Sequence, residues 1–249
     1  MLNFKVFTIF PDLFPGCLNS SVTGVALSKN LWQIQAINIR DYALDKHKTV
    51  DDLVFGGGSG MLFKPDVIAN ALESNLSFLG QQNKYKNSKK ILYLSPRGKL
   101  FNQELANDLA GLNEIAILCG RYEGVDQRVL DEFAIEEISM GNYVLSGGEV
   151  AAFPFIDAIV RNIPGVLGDF DSLHEESFGS NQNKSFKNLL EYDQYTRPRE
   201  WRNRKVPDVL LSGNHQKIKE WRLKSAKETT NKNRPDLLYY TNSHLKKHI

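Results

Sequence analysis

Short apolar runs alternate with amphipathic segments along the first 167 residues of the chain. Two of the amphipathic segments, 102–112 and 124–133, repeat apolar residues at helical spacing and predict helices. Strands that alternate with helices are typical of an α/β domain with a mainly parallel sheet. The apolar runs that predict β-strands are Phe4–Phe10, Trp32–Ile39, Ile91–Ser95, Glu114–Cys119 and Ala134–Met140.

The pattern changes near residue 168. Residues 168–184 are rich in Gly, Ser, Asn and acidic side chains and lack apolar periodicity, which predicts a flexible interdomain linker. Beyond it, Asn214 is placed as the N-cap of one helix and Pro235 in the first turn of another. We therefore predict a domain at 1–167, a linker at 168–184 and a small helical domain at 185–249.

Charge distinguishes the two ends of the chain. Residues 185–249 carry 15 Lys and Arg against 7 Asp and Glu, whereas residues 1–184 carry 16 against 22. The basic region is interleaved with aromatic residues, which is typical of a nucleic-acid-binding surface. A basic helical domain with an aromatic core explains the composition equally well. The aromatic residues are Tyr192, Tyr195, Trp201, Trp221, Tyr239 and Tyr240.

Several function classes are excluded by missing motifs. Cys17 and Cys119 are isolated and no His/Cys cluster accompanies them, so no metal site is predicted. The chain has no P-loop, GxGxxG, GxSxG or HExxH motif, which argues against a P-loop nucleotide triphosphatase, an ordinary dinucleotide-binding fold and the common hydrolases. It also lacks a long apolar run and an N-terminal signal pattern, which predicts a cytoplasmic protein without membrane association.

Three predicted strands end in glycine-bearing loops, "LSPRG", "CGRYEG" and "MGNYVLSGGE". Ligands of open α/β sheets bind beyond the carboxyl ends of the strands, so we expect these loops to meet at one ligand site. Their glycines would let a flat ligand lie against the main chain. The alternative is that strands need turns and turns need glycine.

The motifs "LYLSPRG", "ILCGRYEGVDQRV", "EISMGNYVLSGGEVAA", "IPGVLG", "YTRP" and "VPDVLLSGNHQKIKEWR" occur in an order that resembles the bacterial tRNA (guanine-37-N1)-methyltransferases. These enzymes belong to the SPOUT superfamily of knotted methyltransferases, and the resemblance spans nearly the whole chain. It implies transfer of a methyl group from S-adenosylmethionine to N1 of guanosine 37, in tRNAs where guanosine 36 precedes it. It also implies a deep trefoil knot in the α/β domain, which general topology rules would not suggest.

The resemblance also implies which residues hold S-adenosylmethionine. Asn142 is a departure, because relatives often carry an aspartate there, and the substitution removes a negative charge from that position. The implied cofactor-binding residues are Tyr93, Leu94, Ser95, Pro96, Gly120, Tyr122, Glu123, Met140, Gly141, Asn142, Tyr143, Val144, Leu145, Gly147 and Gly148.

Methylation at N1 of guanine needs a base for the N1 proton and a positive group at O6. By position, Arg161 matches the family arginine that stabilises charge at O6, and a surface arginine is the alternative. Glu176 matches the family's catalytic aspartate and is one methylene longer. Glu175, Asp171 and Asp169 are alternative bases, and a solvated linker acid is the structural alternative for each.

The family acts as a homodimer with its active site at the subunit interface, and its turnover requires Mg²⁺. The resemblance therefore implies a dimer, a tRNA partner that contacts the basic domain, and a linker that orders over the site when RNA binds. An inactive RNA-binding protein of the same fold is the alternative function, because Glu176 and Asn142 depart from the family pattern. Candidate RNA contacts are His47, Asp51, Asp52, Asn214 and His215.

Overall fold

The computed structural model describes residues 1–58, 60–85, 87–168, 175–178 and 185–238, without the side chains of residues 82 and 83. The chain divides into two compact units, Met1–Gly168 and Asp169–Ile249. The predicted linker is described only at residue 168 and at residues 175–178, and Tyr239 and Tyr240 lie outside the described residues.

The first unit is built on a parallel sheet of five strands in the order β2-β1-β6-β5-β7, which confirms the predicted α/β class. A separate antiparallel hairpin, β3–β4, was not predicted. The strands are β1 (Leu2–Thr8), β2 (Trp32–Asn38), β3 (Asp51–Leu53), β4 (Met61–Phe63), β5 (Lys89–Leu100), β6 (Glu114–Cys119) and β7 (Glu136–Ser139).

Helices cover both faces of this sheet. They are α1 (Ser21–Ser28), α2 (Pro65–Asn75), α3 (Gln82–Tyr85), α4 (Gln103–Ala110), α5 (Gln127–Glu132) and α6 (Gly148–Val160), with short 3-10 turns at Pro11–Leu13, Gly16–Asn19 and Ile39–Tyr42. Alternate residues of a strand face opposite sides, so β6 sends Ile117 into the core under α4 and α6, and Leu118 into the core under α2 and α5. The sheet is thus buried on both faces, as parallel sheets usually are.

Two differences from the predicted elements bear on the site. Strand β5 continues to Leu100, beyond the predicted Ser95, because the chain rejoins β7 after a register shift between Leu94 and Lys99. Helix α6 was not predicted, because it is apolar on most of its circumference and contains Pro154. The trefoil knot stays a prediction.

The second unit contains the helices α7 (Asp208–Leu211) and α8 (His215–Asn233) and a two-stranded hairpin, β8 (Glu200–Trp201) and β9 (Arg204–Lys205). Its core is formed by Phe186, Leu189, Tyr192 and Ala226. The predicted N-cap of α8 is confirmed, since the side chain of Asn214 accepts a hydrogen bond from the Lys217 N–H. After Pro235, residues 236–238 are helical.

Candidate active site

A cleft of about 280 Å³ opens at the carboxyl ends of β6 and β7, next to residues 93–97 in the middle of β5. Its walls are the segment that leaves the middle of β5, the loop after β6, and the loop between β7 and α6. The lining residues are Tyr93, Leu94, Ser95, Pro96, Arg97, Gly120, Arg121, Tyr122, Glu123, Gly124, Val125, Leu130, Ile138, Ser139, Met140, Gly141, Tyr143, Val144, Leu145, Ser146, Gly147, Gly148 and Ala151.

Of the 15 residues that the resemblance implies for cofactor binding, 14 line this cleft, and Asn142 does not. The three glycine-bearing loops therefore meet at one place, as the strand order requires. Arg97, Arg121 and Ser146 also line the cleft and were not predicted. Apart from their positions within the motifs "LSPRG" and "CGRYEG", nothing in the sequence marks Arg97 and Arg121 as cleft residues.

Several glycines of these loops allow close contacts between neighbouring segments of the chain. A Cβ atom on Gly120 would lie 2.7 Å from the Tyr93 ring, and one on Gly148 would lie 2.8 Å from Cα of Cys119. A Cβ on Gly98 would collide with the Ile138 backbone of β7. Glycine at these positions therefore lets neighbouring segments pack closely, and the expectation that a flat ligand lies against their main chain stays a prediction.

A network of hydrogen bonds connects the cleft walls. Arg121 donates from Nε to Oε2 of Glu149 over 2.8 Å and from Nη1 to the Ser146 carbonyl over 3.1 Å. Its guanidinium also lies 4.6 Å from the centre of the Phe10 ring. Glu149 is fully buried, and its Oε1 accepts a 2.6 Å hydrogen bond from the Thr8 hydroxyl. Arg121 is thus held by charge, hydrogen bonds and ring contact at once.

Two further groups have raised pKa values: Tyr93, which lines the cleft, and the fully buried Cys119, which precedes the lining residue Gly120. Burial, with the nearby negative charge of Glu137, raises the pKa of Tyr93 to about 12. Burial, reinforced by the charge of Glu149, raises the pKa of the Cys119 thiol well above its ordinary value. Both groups stay neutral at physiological pH, so neither serves as a base there.

The candidate catalytic residues lie in different units. Arg161 follows the last residue of α6 in the first unit and is half-buried. Glu176 lies in the second unit and is half-buried as well. The alternative bases Asp169 and Asp171 lie outside the described residues. Glu175 is bound within its own unit, where its Oε2 accepts hydrogen bonds from the Tyr192 hydroxyl at 3.0 Å and from Arg222 at 2.9 Å.

The candidate RNA contacts are divided between the units. His47 lies in an exposed loop, and Asp51 and Asp52 form part of β3. Asn214 and His215 lie at the start of α8, where the Asn214 side chain caps the helix. Helix capping explains an asparagine at position 214 without any contact to RNA, whereas the fold gives no comparable reason for a histidine at position 47.

Within the described ranges, no three His, Cys, Asp or Glu side chains are grouped so that they could hold a metal ion. No helix among the described residues is long and apolar enough to span a bilayer.

The cleft suits a small ligand that carries both polar and charged groups. Its volume lies near the lower end of ordinary small-molecule pockets, about 300 Å³. Its lining offers backbone groups from three loops together with Glu123 and the two arginines. S-Adenosylmethionine carries an adenine, a ribose, a positive sulfonium and an amino-acid end, and this combination of main-chain and charged groups fits it.

Comparison with known proteins agrees with these features. The model of a family described as tRNA (Guanine-1)-methyltransferase TrmD matches residues 2–240. Proteins named tRNA (guanine-N(1)-)-methyltransferase are similar over nearly their full length. The protein from Wolbachia pipientis subsp. Culex pipiens (strain wPip) is 49% identical over 94% of this chain and 95% of its own length. The protein from Alkaliphilus oremlandii is 50% identical over 94% and 91%, and that from Pelagibacter ubique 47% over 94% and 95%.

Proposed function

The chain belongs to the tRNA (guanine-1)-methyltransferase family and is an enzyme that methylates N1 of guanine in tRNA, and from that premise we propose its donor, its target position and its catalytic residues. The donor is S-adenosylmethionine, and the target is guanosine 37 where it follows guanosine 36. The observation that carries the proposal is the cleft that 14 of the 15 implied cofactor residues line together.

The cleft residues of β5, β6 and the β7–α6 loop hold the donor. When bound, S-adenosylmethionine supplies a methyl group on a sulfonium sulfur, which passes to N1 of guanine as a neutral thioether leaves. The main-chain groups of the three loops orient this donor. The close packing of Gly120 and Gly148 against neighbouring segments holds these main-chain groups in place. A fixed reacting geometry lowers the barrier to methyl transfer.

Guanine N1 bears a proton, and its lone pair is delocalised into the ring. Glu176 accepts the N1 proton as general base, and Arg161 places positive charge at O6, where negative charge develops. Glu175 is the weaker candidate for the base, because its Oε2 already accepts hydrogen bonds from Tyr192 and Arg222 within its own unit. Those bonds account for Glu175 structurally.

The β8–β9 hairpin supports a tRNA-binding surface on the second unit. Trp201 is 59% exposed, and the Arg202 guanidinium lies 4.8 Å from the centre of its ring. Arg199 and Arg204 are exposed beside them. Exposed cations bind phosphates and an exposed aromatic ring can stack on an unpaired base, so this hairpin fits an anticodon stem-loop.

Family membership also supports three finer proposals. The enzyme acts as a homodimer with its active site at the subunit interface, its turnover requires Mg²⁺, and it works in the cytoplasm. Two-fold symmetry would give such a dimer two equivalent sites.

Methyl transfer from labelled S-adenosylmethionine to unmodified tRNA transcripts tests the proposal. One transcript carries guanosine at positions 36 and 37, and its matched control carries adenosine at position 37. We expect 1-methylguanosine, identified by mass, from the first transcript alone. Glu176→Gln should then lower kcat by roughly 10²- to 10⁴-fold, whereas Glu176→Asp should retain part of the activity.

Other products would change the assignment. Methylation of the adenosine-37 transcript at another guanine would refute the target position. Binding of both ligands without turnover would favour the inactive RNA-binding protein. Full activity of Glu176→Gln would move the base to another residue, with Asp169 and Asp171 tested next.

A further inference from the structure

Glu149 is a fully buried carboxylate outside the lining of the cleft. Both of its oxygens are engaged: Oε1 accepts from the Thr8 hydroxyl at 2.6 Å, and Oε2 accepts from Arg121 Nε at 2.8 Å. Thr8 is fully buried at the end of β1, and its Oγ1 also accepts a 2.9 Å hydrogen bond from the Phe10 N–H. A carboxylate in such a place is costly unless every partner is present.

The network ends at the cleft wall. Arg121 lines the cleft, and its Nη1 donates a hydrogen bond to the carbonyl of Ser146, which lies in the loop between β7 and α6 and also lines the cleft. A Cβ on the next residue, Gly147, would collide with the Arg121 side chain, so the guanidinium lies directly against that backbone. Arg121 and the main chain at 146–147 are therefore in direct contact, so a shift of the guanidinium would also displace that backbone.

We propose that Glu149 and Thr8 are positioning residues for methyl-donor binding: they fix Arg121, and through it the loop between β7 and α6 that forms one wall of the cleft. The inference rests on the proposed use of this cleft by S-adenosylmethionine. Neither residue lines the cleft. Their effect passes through the orientation of Arg121 and of the Ser146 carbonyl.

The chemistry of the three residues explains why each is of its type. The Arg121 guanidinium presents several N–H donors in a fixed plane, so one side chain can bond both Glu149 and the Ser146 carbonyl. A carboxylate is needed because both partners of Glu149 donate. The Thr8 hydroxyl is needed because it donates to Glu149 while accepting from the main chain of Phe10. An amide or an apolar residue at any of these positions would leave a donor or an acceptor unmet.

Thr8→Val and Thr8→Ser form the decisive pair, because valine keeps the volume and loses the hydroxyl, while serine keeps the hydroxyl. We expect Thr8→Val to raise the KM for S-adenosylmethionine roughly tenfold, with kcat and the KM for tRNA changed much less. Thr8→Ser should restore the wild-type KM to within about twofold. Glu149→Gln should raise the same KM by at least as much as Thr8→Val.

Glu136→Gln is the matched control, since it makes the same change in an exposed ion pair with Lys90 at the start of β7. Calorimetric binding of S-adenosylmethionine to each full-length variant, with its melting temperature, separates positioning from folding. Because Glu149→Gln removes a buried charge and can fail to fold, the comparison of Thr8→Val with Thr8→Ser is the decisive test. A merely structural role would lower the melting temperature of Thr8→Val and leave donor affinity unchanged below that temperature.

Two results would overturn the inference. The first is a folded Thr8→Val enzyme with wild-type affinity for S-adenosylmethionine. The second is a Thr8→Ser enzyme that binds as weakly as Thr8→Val. In both cases a wild-type enzyme that still methylates tRNA leaves the proposed function intact. A wild-type protein that does not bind S-adenosylmethionine would overturn both proposals together.

Discussion

The contact between Gly148 and the end of β6 gives a prediction whose size follows from the structure. A Cβ built on Gly148 lies 2.8 Å from Cα of Cys119 and 2.9 Å from the Gly120 nitrogen, where ordinary contacts begin at 3.4 Å. Both neighbours are main-chain atoms and cannot rotate away. A Gly148→Ala substitution must therefore push α6 and β6 apart by about 0.6 Å, the difference between those contact distances.

A shift of that size also weakens the hydrogen bond from the Gly148 N–H to the Gly120 carbonyl, which is 2.9 Å long. Overpacking costs about 1 to 3 kcal/mol and the weakened bond about 1 kcal/mol. We expect Gly148→Ala to destabilise the protein by about 2 to 4 kcal/mol, which lowers Tm by roughly 5 to 15 °C for a unit of this size.

Thermal unfolding followed by circular dichroism measures this change. Gly111→Ala is the matched control, because Gly111 has φ −80° and its Cβ would make an ordinary 3.5 Å contact with the Asp108 carbonyl. That variant should keep or slightly raise the wild-type Tm. If Gly148→Ala melts within about 2 °C of the wild type, the close approach of α6 to β6 is not what requires glycine at this position.

Three further predictions concern other regions. The pKa of Tyr93 is raised to about 12 in the folded protein, so the unfolded chain loses this proton first, and about 2 kcal/mol of stability should be lost as the pH rises from 10 to 12. Urea unfolding across this pH range should show a smaller loss of stability in Tyr93→Phe than in the wild type. An equal loss in both proteins would contradict the assignment to Tyr93. Arg204→Ala should weaken tRNA binding and reduce the slope of the log binding constant against log salt concentration by about one, the value for one lost phosphate contact. Trp201→Ala should weaken binding and leave this slope unchanged. If neither variant changes tRNA binding in a filter-binding salt series, the hairpin is not part of the tRNA-binding surface. A thiol reagent should modify the exposed Cys17 in the folded protein and the buried Cys119 only after unfolding, and two rapidly reacting thiols would show that the core around Cys119 opens.

The sheet and the location of the cleft could be predicted from the sequence because their signals are local. The run Glu114–Cys119 was placed correctly to the residue, since a strand buried on both faces is apolar throughout. The loop motifs follow such runs, and parallel strands bring their carboxyl ends to one edge. Helix α6 escaped prediction for the opposite reason: a helix that is apolar around most of its surface has no amphipathic period to detect.

The network behind the cleft could not be predicted, because Thr8 and Glu149 lie 141 positions apart. A threonine that ends a strand and a glutamate that follows two glycines are each unremarkable in isolation. Only the packing of α6 against β1 and β6 brings them together. The close packing at the loop glycines could not be predicted for a related reason, since a sequence shows where Cβ atoms are missing and not which segment lies next to them.

The position of β1 inside the sheet has a consequence for synthesis on the ribosome. Strand β1 pairs with β2 on one side and with β6 on the other. Its second neighbour is translated about 80 residues after β2 is complete, which takes roughly 4 to 16 s at an ordinary rate of about 5 to 20 residues per second. A β1 strand that pairs with β2 on the ribosome would have one unpaired edge throughout that interval, and unpaired strand edges are prone to association with other chains. The order of translation, and not only the final packing, therefore places a demand on this N-terminal segment.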